Sequence, residues 1–180
     1  MAYRNLGMII RYCKEIDDID AIRTLYLSLV RSKVEYASFI WSPQQKCHTK
    51  TIESIQSKFT RYLFKKINGF YPKFPQNIPY KQLIQQLDLP TLENRRDQSK
   101  IKFLYKILNC TIDSPQILER VHFQIPPPGL RPRNNLFKVR NNTSPLSTAM
   151  KLYNDLERKP DFALNKTEFA EFLESISVPD

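Results

Sequence analysis

The sequence predicts an all-α fold, an irregular helical bundle with Pro-rich connections and one basic irregular arm. Three observations carry this. Apolar residues recur at three and four positions through most of the chain, the period of a helix with one buried face. The 13 Pro gather between those periodic stretches and act as punctuation. There are only 3 Gly, which argues against a Gly-rich phosphate loop. At 180 residues, with 41% hydrophobic and 26% charged residues, the chain has enough apolar surface for a packed core.

Element by element, Leu6, Ile9, Ile10 and Cys13 mark one face of a first helix. The acidic residues Asp17, Asp18 and Asp20 supply a cap and favourable charge for the next N-terminus. Ile22, Leu25, Tyr26, Leu29 and Val30 form the face of a second helix, expected to end or bend near Arg31-Ser32. A short helical piece then runs toward Trp41 and stops at Pro43. The third helix is expected to start near Thr49 to Thr51, with Ile52, Ile55, Phe59, Tyr62, Leu63 and Ile67 as its apolar positions and Gly69 as its stop. Pro72, Pro75 and Pro79 punctuate a loop. Tyr80 to Leu87 reads as a short helix, and Pro90-Thr91 opens a long one carrying Leu92, Ile101, Leu104, Tyr105 and Leu108. Ser114-Pro115 is a cap and first-turn pair for a short helix reaching about Val121. Pro126-Pro127-Pro128-Gly129 interrupts all regularity, and the alternation of Phe137 and Val139 with Lys138 and Arg140 allows one strand. Helices from about Ser147 to Glu157 and from about Lys166 to Ile176 close the chain. The expected organisation is a helical region over 1–122, a Pro-punctuated basic arm or loop over 123–145, and a C-terminal helical segment over 146–180 that packs on the core.

The net charge is +10, from 28 basic and 18 acidic residues, a balance that suits a polyanion. From Lys46 to Lys73 seven basic residues face one acid, Glu53. Lys58, Arg61 and Lys65 recur at three and four positions and so share a face, a stripe able to meet phosphates without reading sequence. Its ordinary alternative is a solvated helix face. Arg95 and Arg96 open a second basic helix, where one of the pair can face a buried carboxylate instead of solvent. Arg131 and Arg133, with Lys138 and Arg140, make a third patch on the irregular segment, either a basic arm beside nucleic acid or a loop packed on the core. Arg31 and Glu35 are four apart and can pair on one helical face. Beside Tyr36 and the single Trp, Trp41, that pair would specify packing.

Other chemistry finds little support. Asp17, Asp18 and Asp20 precede a helix, a capping arrangement rather than a metal-holding one. His48 and His122 stand far apart with no nucleophile and carboxylate arranged around them. The 3 Cys are scattered, with no CxxC pair, which gives no disulfide framework or zinc knuckle. No cofactor is expected. No run approaches 18 uncharged apolar residues, so no membrane span or membrane partner is expected. Residues 1–11 do not read as a signal peptide. The expected location is cytoplasmic or nuclear, not secreted.

The segment from Leu25-Tyr26 through Pro43 resembles the stretch just after the catalytic palm in reverse transcriptases of non-LTR retrotransposons, jockey-like or R1-like. The block Ile52-Glu53-Ser54-Ile55-Gln56-Ser57-Lys58-Phe59-Thr60-Arg61 resembles the next one in that family, with its Glu, its Gln and its Phe-x-Arg run. Tyr71-Pro72, Leu87-Asp88-Leu89-Pro90-Thr91-Leu92-Glu93-Asn94-Arg95-Arg96, Phe103 to Asn109 and Leu152-Tyr153-Asn154 continue in the same order. After Pro160 the resemblance is loose.

The resemblance implies a helical thumb and the segment beyond it, which in such polymerases grip the primer–template duplex by its backbone. It implies Lys58, Arg61, Arg95 and Arg96 as duplex contacts. The family's aromatic-Ala-Asp-Asp block, its endonuclease portion and its Cys-Cys-His-Cys knuckle are absent from this sequence. The expected function is therefore a non-catalytic fragment or remnant of an RNA-directed DNA polymerase that binds RNA–DNA hybrid, DNA or RNA. The alternatives are a helical structural or protein-interaction module, and an accessory chain for a separate palm-bearing reverse transcriptase.

Overall fold

The computed structural model describes residues 1–72, 78–125, 135–139 and 143–175. The described residues are all-α. Their only β pairing is an isolated antiparallel bridge between Phe123 and Phe137, so the alternation around Phe137 does not build a strand. Lys73, Arg131, Arg133 and Arg140 lie outside the described residues, as does most of the expected arm.

The chain divides into two compact units, Met1–Ser38 with Ser42–Arg95, and Phe39–Trp41 with Arg96–Asp180. The division falls between Arg95 and Arg96, whereas the sequence suggested breaks at 122 and 145.

In the first unit α1 (Ala2–Tyr12) buries Leu6 and Ile9. α2 (Ile19–Tyr26) begins where the Asp18 carboxylate accepts the Asp20 and Ala21 N–H groups at 3.0 and 3.1 Å, as the acidic cluster predicted. The expected bend near Arg31-Ser32 takes a different form: the helix continues, widened into a π-helical turn over Leu27–Arg31, and then α3 (Ser32–Glu35). Side chains account for the widening. Asn5 Nδ2 donates to the Leu29 carbonyl at 2.8 Å, and the Ser28 and Ser32 hydroxyls bond back to the Thr24 and Ser28 carbonyls. Such insertions into the carbonyl ladder loosen an α-helix.

Ala37 then adopts a left-handed conformation, φ 50, which breaks helical phase before the single turn α4 (Ser38–Trp41). α5 (Lys46–Asn68) begins earlier than the apolar period suggested and ends at Gly69, φ 79, where glycine carries no Cβ penalty. α6 (Tyr80–Gln86) follows. Leu6, Ile9, Ile22, Tyr26, Phe59 and Leu63 lie at the centre of the core, with the Tyr26 and Phe59 rings stacked at 3.8 Å.

A buried polar chain crosses this unit. Tyr26 Oη donates to Gln56 Oε1 at 3.1 Å. Gln56 Nε2 donates to the Pro90 carbonyl at 2.8 Å and to Tyr80 Oη at 3.2 Å. Tyr80 Oη donates to Glu53 Oε1 at 2.5 Å, and the same oxygen accepts the Leu92 N–H. Glu53 thus holds the first turn of α7 (Leu92–Leu108), whose other cap is Thr91 Oγ1 accepting from Asn94 N at 3.1 Å.

The second unit packs the later part of α7 with α8 (Pro115–Leu118), α9 (Pro145–Asp155) and α10 (Lys166–Ser175). Ile101, Leu104, Met150, Tyr153, Phe169 and Leu173 share its core, so residues on both sides of the expected arm belong to one apolar centre. α9 starts at Ser144-Pro145, with Ser144 Oγ accepting the Ser147 N–H. α10 has a capping box: Asn165 Oδ1 accepts from Glu168 N, and Glu168 reaches back toward Asn165 N.

Candidate nucleic-acid interface

α5 carries six basic residues and one acid, within Lys46–Asn68. At about 100° per residue, helical geometry puts Lys50, Ser54, Lys58, Arg61 and Lys65 within an arc of about 80°, one face of α5. Phe59, Leu63 and Gln56 on the other side are buried. Lys50, Lys58 and Lys65 are exposed, while Arg61 is half-buried. Glu53, the acid that would offset this charge, points inward to Tyr80 and Leu92. Lys66 faces away from the stripe, with Nζ donating to the Lys14 and Ile16 carbonyls at 2.7 and 2.8 Å and lying 3.5 Å from Asp17. The stripe from Lys50 to Lys65 is about 22 Å long, the axial rise of about six phosphates of one strand.

α1 flanks it. Lys58 Nζ donates to Tyr3 Oη at 2.8 Å and sits 4.5 Å from that ring's centroid, which holds the ammonium in place. Arg4, Arg11 and Tyr12 are exposed on α1 as well. The sequence reading missed this flank, although Arg4 and Arg11, two turns apart on one face of α1, signal it. Arg61 Nε is buried and without a hydrogen-bond partner, although the residue as a whole is half-buried.

The Arg95-Arg96 pair does not join this surface. Arg96 is 2% exposed: it lies one turn after the buried Leu92, on the inward face of α7. Arg95 holds Glu35 by two contacts, Nε to Oε1 and Nη2 to Oε2, the latter at 2.9 Å. Arg31 Nε meets the same carboxylate at 3.0 Å. One carboxylate thus ties the end of the π-helical segment to the start of α7. Burial, with Arg95 nearby, lowers the pKa of Arg31.

The packing role expected for Arg31 and Glu35 fits this cluster; for Tyr36 and Trp41 it does not, because Tyr36 is 81% exposed and Trp41 41%. The left-handed Ala37 resets the helical phase, so that Phe39 turns inward to stack on Phe103 at 4.0 Å while Trp41 turns out. Arg131 and Arg133 lie outside the described residues. Lys138 lies in the second unit, opposite His122 across the Phe123–Phe137 bridge.

Among the described residues no group of His, Cys, Asp and Glu is placed to hold a metal ion, and no helix is long and apolar enough to cross a membrane. Compared with protein-family models, with curated proteins and with solved structures, the chain matches none.

Proposed function

We propose that this chain is a non-catalytic, thumb-like helical region that binds the backbone of an RNA–DNA hybrid or another nucleic acid duplex, as its resemblance to the post-palm region of non-LTR reverse transcriptases suggests. The observation that carries the reading is the acid-free face of α5: Lys50, Lys58, Arg61 and Lys65 in line, with Glu53 turned inside. A cationic helix face of this kind meets phosphates by charge and does not read bases. Arg95 and Arg96 are not part of the proposed contact, one being bound to Glu35 and the other buried.

Binding of the chain to an RNA–DNA hybrid, duplex DNA and single-stranded RNA across a salt series tests this. The expected result is affinity that falls steeply with salt. A variant with Ala at Lys58, Arg61 and Lys65 should lower the slope of log K against log salt by about two to three, roughly one per lost phosphate contact. A folded chain that binds none of the three at low salt would overturn the proposal.

A second reading has its own support. Ile40 and Trp41, neighbours on α4, are 60% and 41% exposed. Large apolar side chains concentrated in an exposed segment suit a protein partner, of which a separate palm-bearing reverse transcriptase chain is one. Polymerase activity gained on mixing this chain with such a palm, and lost with Trp41→Ala, would favour that reading.

A further inference from the structure

The second unit contains a cavity of about 580 Å³, within the roughly 300–1,000 Å³ typical of small-molecule sites. Every lining residue belongs to that unit. Its apolar wall includes Phe39, Ile40, Phe103, Ile117, Leu146 and Met150. Phe39 and Phe103 form a stacked, flat surface, and Met150 is an adaptable thioether. The charged side chains at the described lining are all of one sign or able to become so: Arg120, His122 and Lys138, with no Asp or Glu among the described lining residues.

Local structure puts these groups together. Lys138 N donates to the His122 carbonyl at 2.8 Å, and Gln124 N donates to the Leu136 carbonyl at 2.8 Å. These bonds flank the Phe123–Phe137 bridge. Side chains alternate across such a pairing, so Phe137 enters the core while His122 and Lys138 share the opposite face and reach the cavity. Arg120 arrives from the end of α8, two residues before His122. The start of α9 lies at the wall through Ser144 and Ser147, the positive end of that helix's dipole.

We infer that this cavity binds an amphipathic carboxylate, an apolar chain or ring bearing one anionic head. The apolar body lies along Phe39, Phe103 and Met150, and the carboxylate meets the Arg120 guanidinium and the Lys138 ammonium. A planar carboxylate matches the guanidinium fork. A nucleotide fits less well, since the side chains of the apolar wall offer no donor or acceptor to a base edge and the Ser144 and Ser147 hydroxyls already bond to each other at 2.9 Å. The site is independent of the basic face of α5.

The test titrates the full chain with decanoate below its micellar range, with decanol, decyltrimethylammonium and AMP in parallel. Methyl NMR of Ile40, Ile117, Leu146 and Met150 locates the binding. The charge-reversal pair Arg120→Glu with Lys138→Glu alters two exposed side chains and leaves the core intact. The expected result is saturable decanoate binding that shifts those methyls, exceeds binding of decanol and of the cationic analogue, and weakens at least tenfold in the charge-reversed variant. Four results would overturn the inference: no saturable decanoate binding by a chain shown to be folded, binding that leaves those methyls unmoved, binding unchanged by charge reversal, or tighter binding of AMP at the same methyls.

Discussion

Gln56 shows how much one residue can decide in this fold. It is fully buried, and its amide joins α2, α6 and the Pro90 turn through Tyr26, Tyr80 and the Pro90 carbonyl. Gln56→Ala would leave the buried Tyr26 hydroxyl without its partner, and the part-buried Pro90 carbonyl likewise, and each unmet buried group costs about 1–3 kcal/mol. The expected loss is about 2–4 kcal/mol, read from the urea midpoint. A loss below about 1 kcal/mol would mean that the network contributes little. The sequence did not reveal this role, because Gln56 sits in a helix otherwise rich in polar residues and its partners are 24 to 34 residues away. Arg96 was more legible. It follows Leu92 by one turn, and that spacing alone puts it on the inner face of α7, whatever its charge suggests.

At the scale of elements, the helices that the sequence revealed are those with a continuous apolar period, and what it concealed lies at their ends. Gly69 announces the end of α5. α6 and α7 finish just as sharply without glycine: Leu89 N bonds to the Ile84 carbonyl around Asp88, and Thr111 N to the Lys106 carbonyl around Cys110, with φ of 47 and 52 at the two turning residues. These are the 6→1 bonds of Schellman ends, invisible when the left-handed position carries a side chain. The start of α9 was legible in principle, since Ser144-Pro145 repeats the cap and first-turn pair recognised at Ser114-Pro115. The π-helical turn was not, because it depends on Asn5 from a different helix. Cys110 is exposed, so replacing it changes backbone strain with little packing. Cys110→Gly should stabilise the chain by about 0.5–1 kcal/mol, the left-handed penalty removed less the added freedom of the unfolded chain. Cys110→Val should destabilise it by a similar amount or more. Equal denaturation midpoints for the two variants would remove the strain from this account.

Across the whole molecule, both units bury tyrosine hydroxyls, and this makes an alkaline limit to stability. Burial pushes the phenol of Tyr26 well above its ordinary range. Burial, together with its hydrogen bond to the Glu53 carboxylate, does the same to Tyr80, whose ionised form would face that carboxylate. In the second unit burial, with Asp161 nearby, raises Tyr153 to about 12, and its hydroxyl donates to the Pro160 carbonyl at 2.8 Å. A raised phenol pKa means that the folded chain holds a proton which the unfolded chain releases above about pH 10. These contributions are therefore fully present below pH 10 and are lost as pH rises toward the folded values. Through that window each such phenol lowers stability by about 1.4 kcal/mol per pH unit. Urea midpoints measured at pH 8, 10 and 11 should fall modestly by the second, where the unfolded phenols are about half ionised, and steeply at the third. Tyr80→Phe should begin less stable, having lost its bond to Glu53, yet fall less between pH 10 and 11 by about one phenol's share. If that variant and the unaltered chain fall in parallel, Tyr80 ionises freely in the folded state, and the buried chain from Tyr26 to Glu53 is not the closed network that holds the first unit together.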